Sequence, residues 1–203
     1  MKEQHDSLQY ICACLLTHTY VVEQVIADPA LIKNFFALSL AMEKVFYAFI
    51  HQYGERLLAS AKLSEEKRWR ELLGILKYAH RCIAMHELKQ HWRIYLLSLS
   101  CREIPQTPLL ESIFFLNHLL SDYREKDSLS AIIQYEIFLN QTLQHDAMAL
   151  THTFSVGVSK LIDQVKQPNF LHDGQFVVER QPETLVFLKT LNPLSVKVMT
   201  RNG

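Results

Sequence analysis

Glycine and proline are scarce in this chain of 203 residues, which contains only 5 Gly and 6 Pro. Because both residues punctuate turns, their scarcity favours a few long elements and argues against an all-β fold. No uninterrupted apolar run reaches about 18 residues, so the sequence predicts no membrane span. The polar N-terminus lacks the basic and apolar stretches of a secretion signal, and we therefore expect a cytoplasmic protein.

The chain has no excess of positive or negative charge, since it contains 21 basic and 21 acidic residues. Without a basic patch, nucleic-acid binding has little electrostatic support. A chain of this length buries enough surface to fold without a disulfide or a structural metal. The four cysteines are Cys12, Cys14, Cys82 and Cys101. The first two point to nearly opposite faces of a helix, and we expect all four to be reduced thiols.

Apolar residues recur at helical spacing along most of the chain. The pattern predicts helices over about 8–27, 30–61, 65–99, 108–123, 128–143 and 147–165. Ser7, Ser64 and Thr107 are the predicted N-caps of the first, third and fourth helices. The third helix is unusually long, so we expect a break near Gly74 or Arg81. The β-branched residues over 151–158 weaken the helical pattern of the sixth.

The pattern changes after Pro168, where 176–178 and 185–187 are typical of short strands or an irregular tail. The sequence therefore predicts an all-α fold with a short irregular or β-hairpin C-terminal tail. We expect a compact multi-helix bundle over 1–167 and a tail over 168–203 that packs on the same domain.

Familiar catalytic motifs are absent from the sequence: there is no P-loop, GxGxxG, GxSxG, paired CxxC or HExxH. The constellation of His80, Glu87 and His91 is more informative, because offsets of seven and eleven residues place all three on one helical stripe. Such a stripe could supply metal ligands, as in the di-iron sites of helical bundles. The alternative is an ordinary polar stripe with Glu–His pairing.

Two glutamates, Glu43 and Glu136, fall at positions where the helical pattern calls for apolar residues. A buried carboxylate is costly unless it is paired or bound to a cation, so inward glutamates favour a metal site. The alternative is a glutamate at the edge of its helix face that reaches water or an arginine.

Histidines on other helices supply further candidates. His18 lies on the predicted first helix, where a lone histidine is more often structural than a ligand. His145, Asp146 and His152 form a looser group late in the chain, and their spacing alone does not define a site.

Six regions between residues 17 and 136 share their order and residue types with a known superfamily. They are 17–21, 34–53, 87–92, 105–108, 119–120 and 128–136. Over about residues 8–145 the chain resembles the haem-oxygenase-like superfamily, which includes thiaminase-II (TenA) proteins, a pyrroloquinoline-quinone synthase (PqqC) and helical di-iron oxidases. The resemblance implies a helical bundle of the haem-oxygenase-like type.

The resemblance also leads to a first hypothesis, a metal-dependent oxidase in which iron activates dioxygen beside a small organic substrate. The implied ligands are Glu87, His91 and Glu136, with Glu43, His145, Asp146 or His152 completing the set. In a haem oxygenase the iron ligand would be His18. Haem is the weaker expectation, because only Gly157 lies where that family has a glycine-rich helix. None of the four cysteines matches the thiaminase nucleophile.

The second hypothesis is a non-catalytic binding module on the same scaffold, which the incomplete ligand set favours. Such a module would hold a small apolar ligand between its helices or bind another protein through a helical face. We expect a small-molecule ligand and no nucleic acid, and the sequence leaves a homodimer open.

Overall fold

The computed structural model of the protein describes residues 6–100, 107–125, 127–146, 148–170 and 176–201. The chain divides into two compact units, Met1–Arg70 with Leu96–Ile104 and Glu71–Tyr95 with Pro105–Gly203. The described residues are mostly helical and include three strands near the C-terminus. The predicted helical class with a C-terminal hairpin is confirmed at this level, although the hairpin lies over 183–200 and 176–178 is not a strand. The predicted boundary near residue 168 stays a prediction.

The first unit contains α1 (Leu8–Leu15), α2 (Thr19–Ala27), a 3-10 helix (Pro29–Asn34) and most of α3 (Leu40–Ile75). Ser7 caps α1 as predicted, and its hydroxyl accepts a hydrogen bond from the backbone N–H of Tyr10 at 3.2 Å. The core of this unit consists of apolar side chains from all four elements. Its fully buried members are Ile11, Leu15, Val22, Val25, Ile32, Phe46 and Ala61.

The predicted first helix is broken between α1 and α2. The hydroxyl of Thr17 donates to the carbonyl of Cys14 at 2.7 Å, and Nδ1 of His18 lies 3.2 Å from the same oxygen. Local side-chain bonds of this kind compete with helix continuation. The guanidinium of Arg68, on α3, donates to the Thr17 carbonyl at 2.8 Å and helps to hold the break.

Within the described residues, no single helix is both long and apolar enough to cross a membrane. One bent pair of helices in the described part of the chain, α1 and α2, has that length and apolar content together, with an angle of 119° between the two.

The middle of the chain differs from the prediction at two places. Residues 30–34 form the 3-10 helix instead of the start of a long α-helix, because Asp28 caps the turn and Pro29 follows it. Ser64 does not begin a helix but lies inside α3, which continues to Ile75. The predicted break near Gly74 or Arg81 is confirmed, since a short helix, α4 (Ala79–Cys82), follows separately.

The second unit is built around α7 (Asp127–Gln144), which is buried around most of its circumference. Its other helices are α4, most of α5 (Met85–Ser98), α6 (Pro108–Asp122) and α8 (Val158–Lys166). Thr107 caps α6 as predicted, with its hydroxyl accepting from the N–H of Leu110 at 3.2 Å. A helix that is apolar on nearly all sides belongs in a core, and α7 occupies that place here.

Three antiparallel strands complete this unit in the order β1 (Ala149–Phe154), β2 (Glu183–Leu191) and β3 (Leu194–Thr200). One sheet face packs on α7, where the ring of Phe187 lies 5.4 Å from that of Tyr135 and 5.9 Å from that of Phe138. The first half of the predicted sixth helix is therefore wrong. Residues 149–154 alternate in side-chain type and are rich in threonine, which fits a strand paired with β2.

Cys12, Cys14 and Cys82 are free thiols, as predicted. Burial raises the pKa of the Cys82 thiol to about 12. A thiol with so high a pKa is a poor nucleophile at neutral pH, because the thiolate is the reactive form. Cys101 lies outside the described residues.

Candidate functional site

Glu136 is the candidate ligand with the most constrained surroundings. Its side chain is fully buried on α7, with 0% of the residue exposed. Oε1 accepts hydrogen bonds from the backbone N–H groups of Lys77 and Tyr78, and Oε2 accepts from those of Tyr78 and Ala79. The bond from Ala79 is 2.8 Å long and those from Tyr78 are 3.2 and 3.3 Å long. We call this arrangement the Glu136 cap.

The Glu136 cap supplies what the start of α4 lacks. The first N–H groups of any helix have no partner within the helix, and the N-cap residue Tyr78 makes no side-chain cap bond of its own. The carboxylate from α7 therefore takes that role, and its negative charge also suits the positive end of the helix. Burial raises the pKa of Glu136, whereas the bonds from Ala79, Lys77 and Tyr78 act to lower it. Both carboxylate oxygens are thus committed to the backbone.

Glu87 and His91 belong to a second hydrogen-bonded group, which we call the polar array: Glu87, His91, Asp122 and Tyr123. The hydroxyl of Tyr123 donates to Oε1 of Glu87 at 2.6 Å. Nε2 of His91 lies 3.1 Å from the same hydroxyl. Nδ1 of His91 lies 3.1 Å from Oδ2 of Asp122, an ion-pair distance whose geometry falls short of a hydrogen bond. The array therefore links α5 to the C-terminal end of α6.

The protons of the polar array follow from these contacts. Tyr123 has one hydroxyl proton, and the short contact assigns it to Glu87. The contact with His91 is then satisfied only if Nε2 carries a proton and donates it. Burial, followed by the contact with Glu87, raises the pKa of Tyr123, so the hydroxyl remains a donor. Each member of the array thus has a partner within the protein.

Glu43 and His18 belong to the first unit. Glu43 lies in the first turn of α3, where its Oε2 forms an ion pair with Nζ of Lys33 at 2.9 Å. His18 precedes α2 and is buried, with Nδ1 2.8 Å from the hydroxyl of Thr17.

The late group of candidates is spread over two kinds of environment. His145 and Asp146 are exposed just after α7, and the backbone carbonyl of His145 accepts from Nζ of Lys189 at 2.8 Å. His152 lies on β1, where its ring stacks on Phe138 with centroids 4.1 Å apart and an interplanar angle of 21°. His152 thus forms part of the packing between α7 and the sheet.

Of the predicted iron ligands, Glu43 belongs to the first unit and the others belong to the second. Among the residues that the structure describes, no group of three or more His, Cys, Asp or Glu side chains is placed to hold a metal ion. Within the Glu136 cap, a metal ion could bind the Glu136 carboxylate only by breaking its bonds to three backbone N–H groups. Iron stays a prediction of the sequence.

Tyr123 and Asp122 are the members of the polar array that the sequence did not single out. Tyr123 lies at the end of a helix and is separated by 32 residues from His91 and by 36 from Glu87. No periodic pattern links positions so far apart. The available signal was an aromatic residue with a polar end at the C-cap of α6, since a buried tyrosine hydroxyl usually has a hydrogen-bond partner.

Replacing Tyr123 with phenylalanine tests the polar array. We expect Tyr123→Phe to lower the free energy of unfolding by about 1–2 kcal/mol, because Glu87 and His91 lose a shared partner. In a double-mutant cycle with Glu87→Gln, the coupling energy should exceed about 0.5 kcal/mol. Tyr53→Phe, on a partly exposed tyrosine of α3, is the matched control. Strictly additive losses would contradict the array.

The half-buried, stacked ring of His152 predicts a pH dependence of stability. Burial lowers the pKa of His152 from its ordinary value of 6.5. Above about pH 6.5 the neutral His152 ring makes its full contribution to the free energy of unfolding. That contribution is lost as the pH falls toward the lowered pKa of the folded state, because the unfolded chain then binds the proton more readily. We expect His152→Phe to lose less stability than the wild type between about pH 7.5 and pH 5.5, as measured by urea unfolding. The exposed His86, changed to Phe, is the control, and an unaltered pH dependence in His152→Phe would overturn this explanation.

Comparison with family models, curated proteins and solved structures gives no match to this chain. By its fold, the protein is mostly helical, with a three-stranded antiparallel sheet packed on a buried central helix. Two groups of inward polar side chains are held by contacts within the protein, one in the Glu136 cap and one in the polar array.

Proposed function

We propose that this protein is a non-catalytic binding module that recognises another protein. The observation that carries the proposal is the Glu136 cap. The buried carboxylate that most favoured a metal site from the sequence is bonded to the backbone N–H groups of Lys77, Tyr78 and Ala79. Its role is then to hold α4 against α7, and the polar array has the same kind of role between α5 and α6.

A protein partner is favoured by where the apolar surface lies. Two large apolar side chains lie opposite one another at the turn of the β2–β3 hairpin and are exposed, Leu191 by 67% and Leu194 by 62%. Exposed apolar residues that cluster on one element are typical of interaction sites, whereas scattered ones need no explanation. The hairpin is therefore the proposed contact region. The expected small-molecule ligand and the homodimer stay predictions.

The iron-dependent oxidase is the rival that the experiment must exclude. The resemblance to the haem-oxygenase-like superfamily stays a prediction, and the binding module does not depend on it, because a fold alone does not fix a function. Haem bound through His18 likewise stays a prediction.

Anaerobic loading with ferrous iron, followed by desalting and elemental analysis, tests the proposal. We expect no stoichiometric iron in the wild type, and the same result for Glu87→Gln and for the control Glu125→Gln on an exposed glutamate. Iron at one or two atoms per chain that is lost in Glu87→Gln but kept in Glu125→Gln would overturn the proposal in favour of the oxidase.

A further inference from the structure

The strand β3 forms one edge of the sheet. The strand order places β2 in the middle, and among the described residues β3 pairs only with β2. An edge strand presents backbone N–H and C=O groups that can pair with another extended segment. The unpaired edge of β3 is therefore a surface on which a further strand can be added.

Two backbone hydrogen bonds at the ends of the sheet, one on each side of β2, fix which backbone groups of β3 point away from β2. The N–H of Lys189 donates to the carbonyl of Met148, beside β1, and the N–H of Arg201 donates to the carbonyl of Thr184, on β2. Because antiparallel bonds alternate along a strand, the residues of β3 that bond to β2 are Ser195, Lys197 and Met199. The backbone groups of the alternate residues point away from β2. These are Val196, Val198 and Thr200, and we call them with Lys197 and Arg201 the β3 edge.

The two sides of the β3 edge differ in chemistry. Val196 and Val198 are half-buried on the side that faces α7, since Val198 pairs with the buried Phe187. Lys197, Met199 and Arg201 are exposed on the opposite side. The strand residues on that open side include no acidic residue: they are Ala149, Thr151, Thr153, Thr184, Val186, Leu188, Thr190, Ser195, Lys197 and Met199. Among the described strand residues, the open side thus carries positive charge and no carboxylate, while the Glu183 carboxylate accepts from the hydroxyl of Thr200 on the side that faces α7.

The positive charge on the open side indicates whether the strand added to β3 comes from a second copy of the chain or from a different protein. Antiparallel pairing of two copies of β3 would bring Lys197 and Arg201 of both copies to one sheet face with no acid opposite them. Pairing of β3 with β1 of another copy would also leave Lys197 and Arg201 without an acidic residue opposite them, because β1 has no acidic residue. Like charges across neighbouring strands are destabilising and opposite charges are favourable. The complementary occupant is a strand that carries carboxylates.

We propose that the β3 edge binds an extended acidic segment of another protein as a fourth strand of the sheet. Apolar side chains of that segment lie beside Val196 and Val198, and its acidic side chains alternate with them to face Lys197 and Arg201. Strand addition draws its affinity from backbone hydrogen bonds and its specificity from alternate side chains. This inference rests on the proposed function, because it names the partner of the binding module.

The test uses fluorescence anisotropy with two labelled peptides of alternating sequence, one of glutamate and valine and one of lysine and valine. We expect the acidic peptide to bind, the basic one to bind at least tenfold more weakly, and Lys197→Glu to weaken the acidic peptide severalfold. Val198→Pro should abolish binding, because proline removes an outward N–H while an edge position tolerates it. Thr151→Ala, on an exposed residue of β1 at the opposite edge of the sheet, is the control and should leave binding unchanged.

A second measurement does not depend on how the variants fold. Methylation of alternate backbone nitrogens of the acidic peptide should abolish binding to the wild-type protein, because those amides can no longer pair with β3. Equal binding of the two peptides, unchanged binding after methylation, or no binding at all would overturn the proposal. So would a concentration-dependent dimer that Val198→Pro disrupts, since the occupant is then a second copy. If the protein takes up no iron and binds neither peptide, strand addition at the β3 edge is contradicted and the proposed function is not. If the protein takes up iron, the proposed function itself is contradicted.

Discussion

Glu136→Ala is expected to lower the free energy of unfolding by about 3 kcal/mol, because it leaves the backbone donors of Lys77, Tyr78 and Ala79 without their acceptor. Glu136→Gln should cost about 1–2 kcal/mol, since the amide keeps one oxygen acceptor but turns a donor toward the same N–H groups. Urea unfolding, monitored by circular dichroism, measures both changes.

The control for this prediction is Glu125→Ala, on an exposed glutamate in the turn after α6. We expect that change to stay within about 0.5 kcal/mol of the wild type. A loss in Glu136→Ala no greater than that of the control would contradict the Glu136 cap. A metal ligand in a protein prepared without metal would behave differently, because removal of a buried, unpaired carboxylate relieves a desolvation cost.

The second large effect is expected for Phe187→Ala, with a loss of about 3–5 kcal/mol. Phe187 is fully buried on β2, and its ring packs against Tyr135 and Phe138 of α7. Truncation removes the main contact between the sheet and the central helix and leaves a cavity between them. Thermal and urea unfolding of the variant measure the loss.

Met199→Ala provides the comparison for Phe187→Ala, because Met199 lies on the opposite sheet face and is 43% exposed. Its loss should stay below about 1 kcal/mol. Similar losses in the two variants would mean that the two sheet faces are equally buried, and the β3 edge would then lose its open side.

The sequence was most informative where structure depends on neighbours along the chain. The Thr107-Pro108 start of α6 follows from its cap, the helix predicted over 128–143 follows from apolar spacing, and both are confirmed. The strand over 149–154 could not be predicted in the same way, because it forms only by pairing with residues 183–188. Strand preference depends on such pairing more than helix preference does.

The candidate residues show the same limit. The pattern placed Glu136 among apolar residues, and the side chain is indeed fully buried. Its partners are backbone N–H groups, however, and these carry no residue-specific signal in a sequence. Glu87 and His91 share a helix face, but the hydroxyl of Tyr123 that joins them comes from another helix. A sequence pattern can therefore identify a buried polar group without showing whether a metal or the protein itself satisfies it.

The most direct test of the central claim, that Glu136 serves the fold and not a metal, is an anaerobic Mn²⁺ titration followed by amide NMR. The signals to watch are those of Lys77, Tyr78 and Ala79, which donate to the carboxylate. We expect them to keep their shifts and linewidths at stoichiometric Mn²⁺. Selective broadening of these three amides at one equivalent would contradict the claim, because it would place the paramagnetic ion at the Glu136 carboxylate.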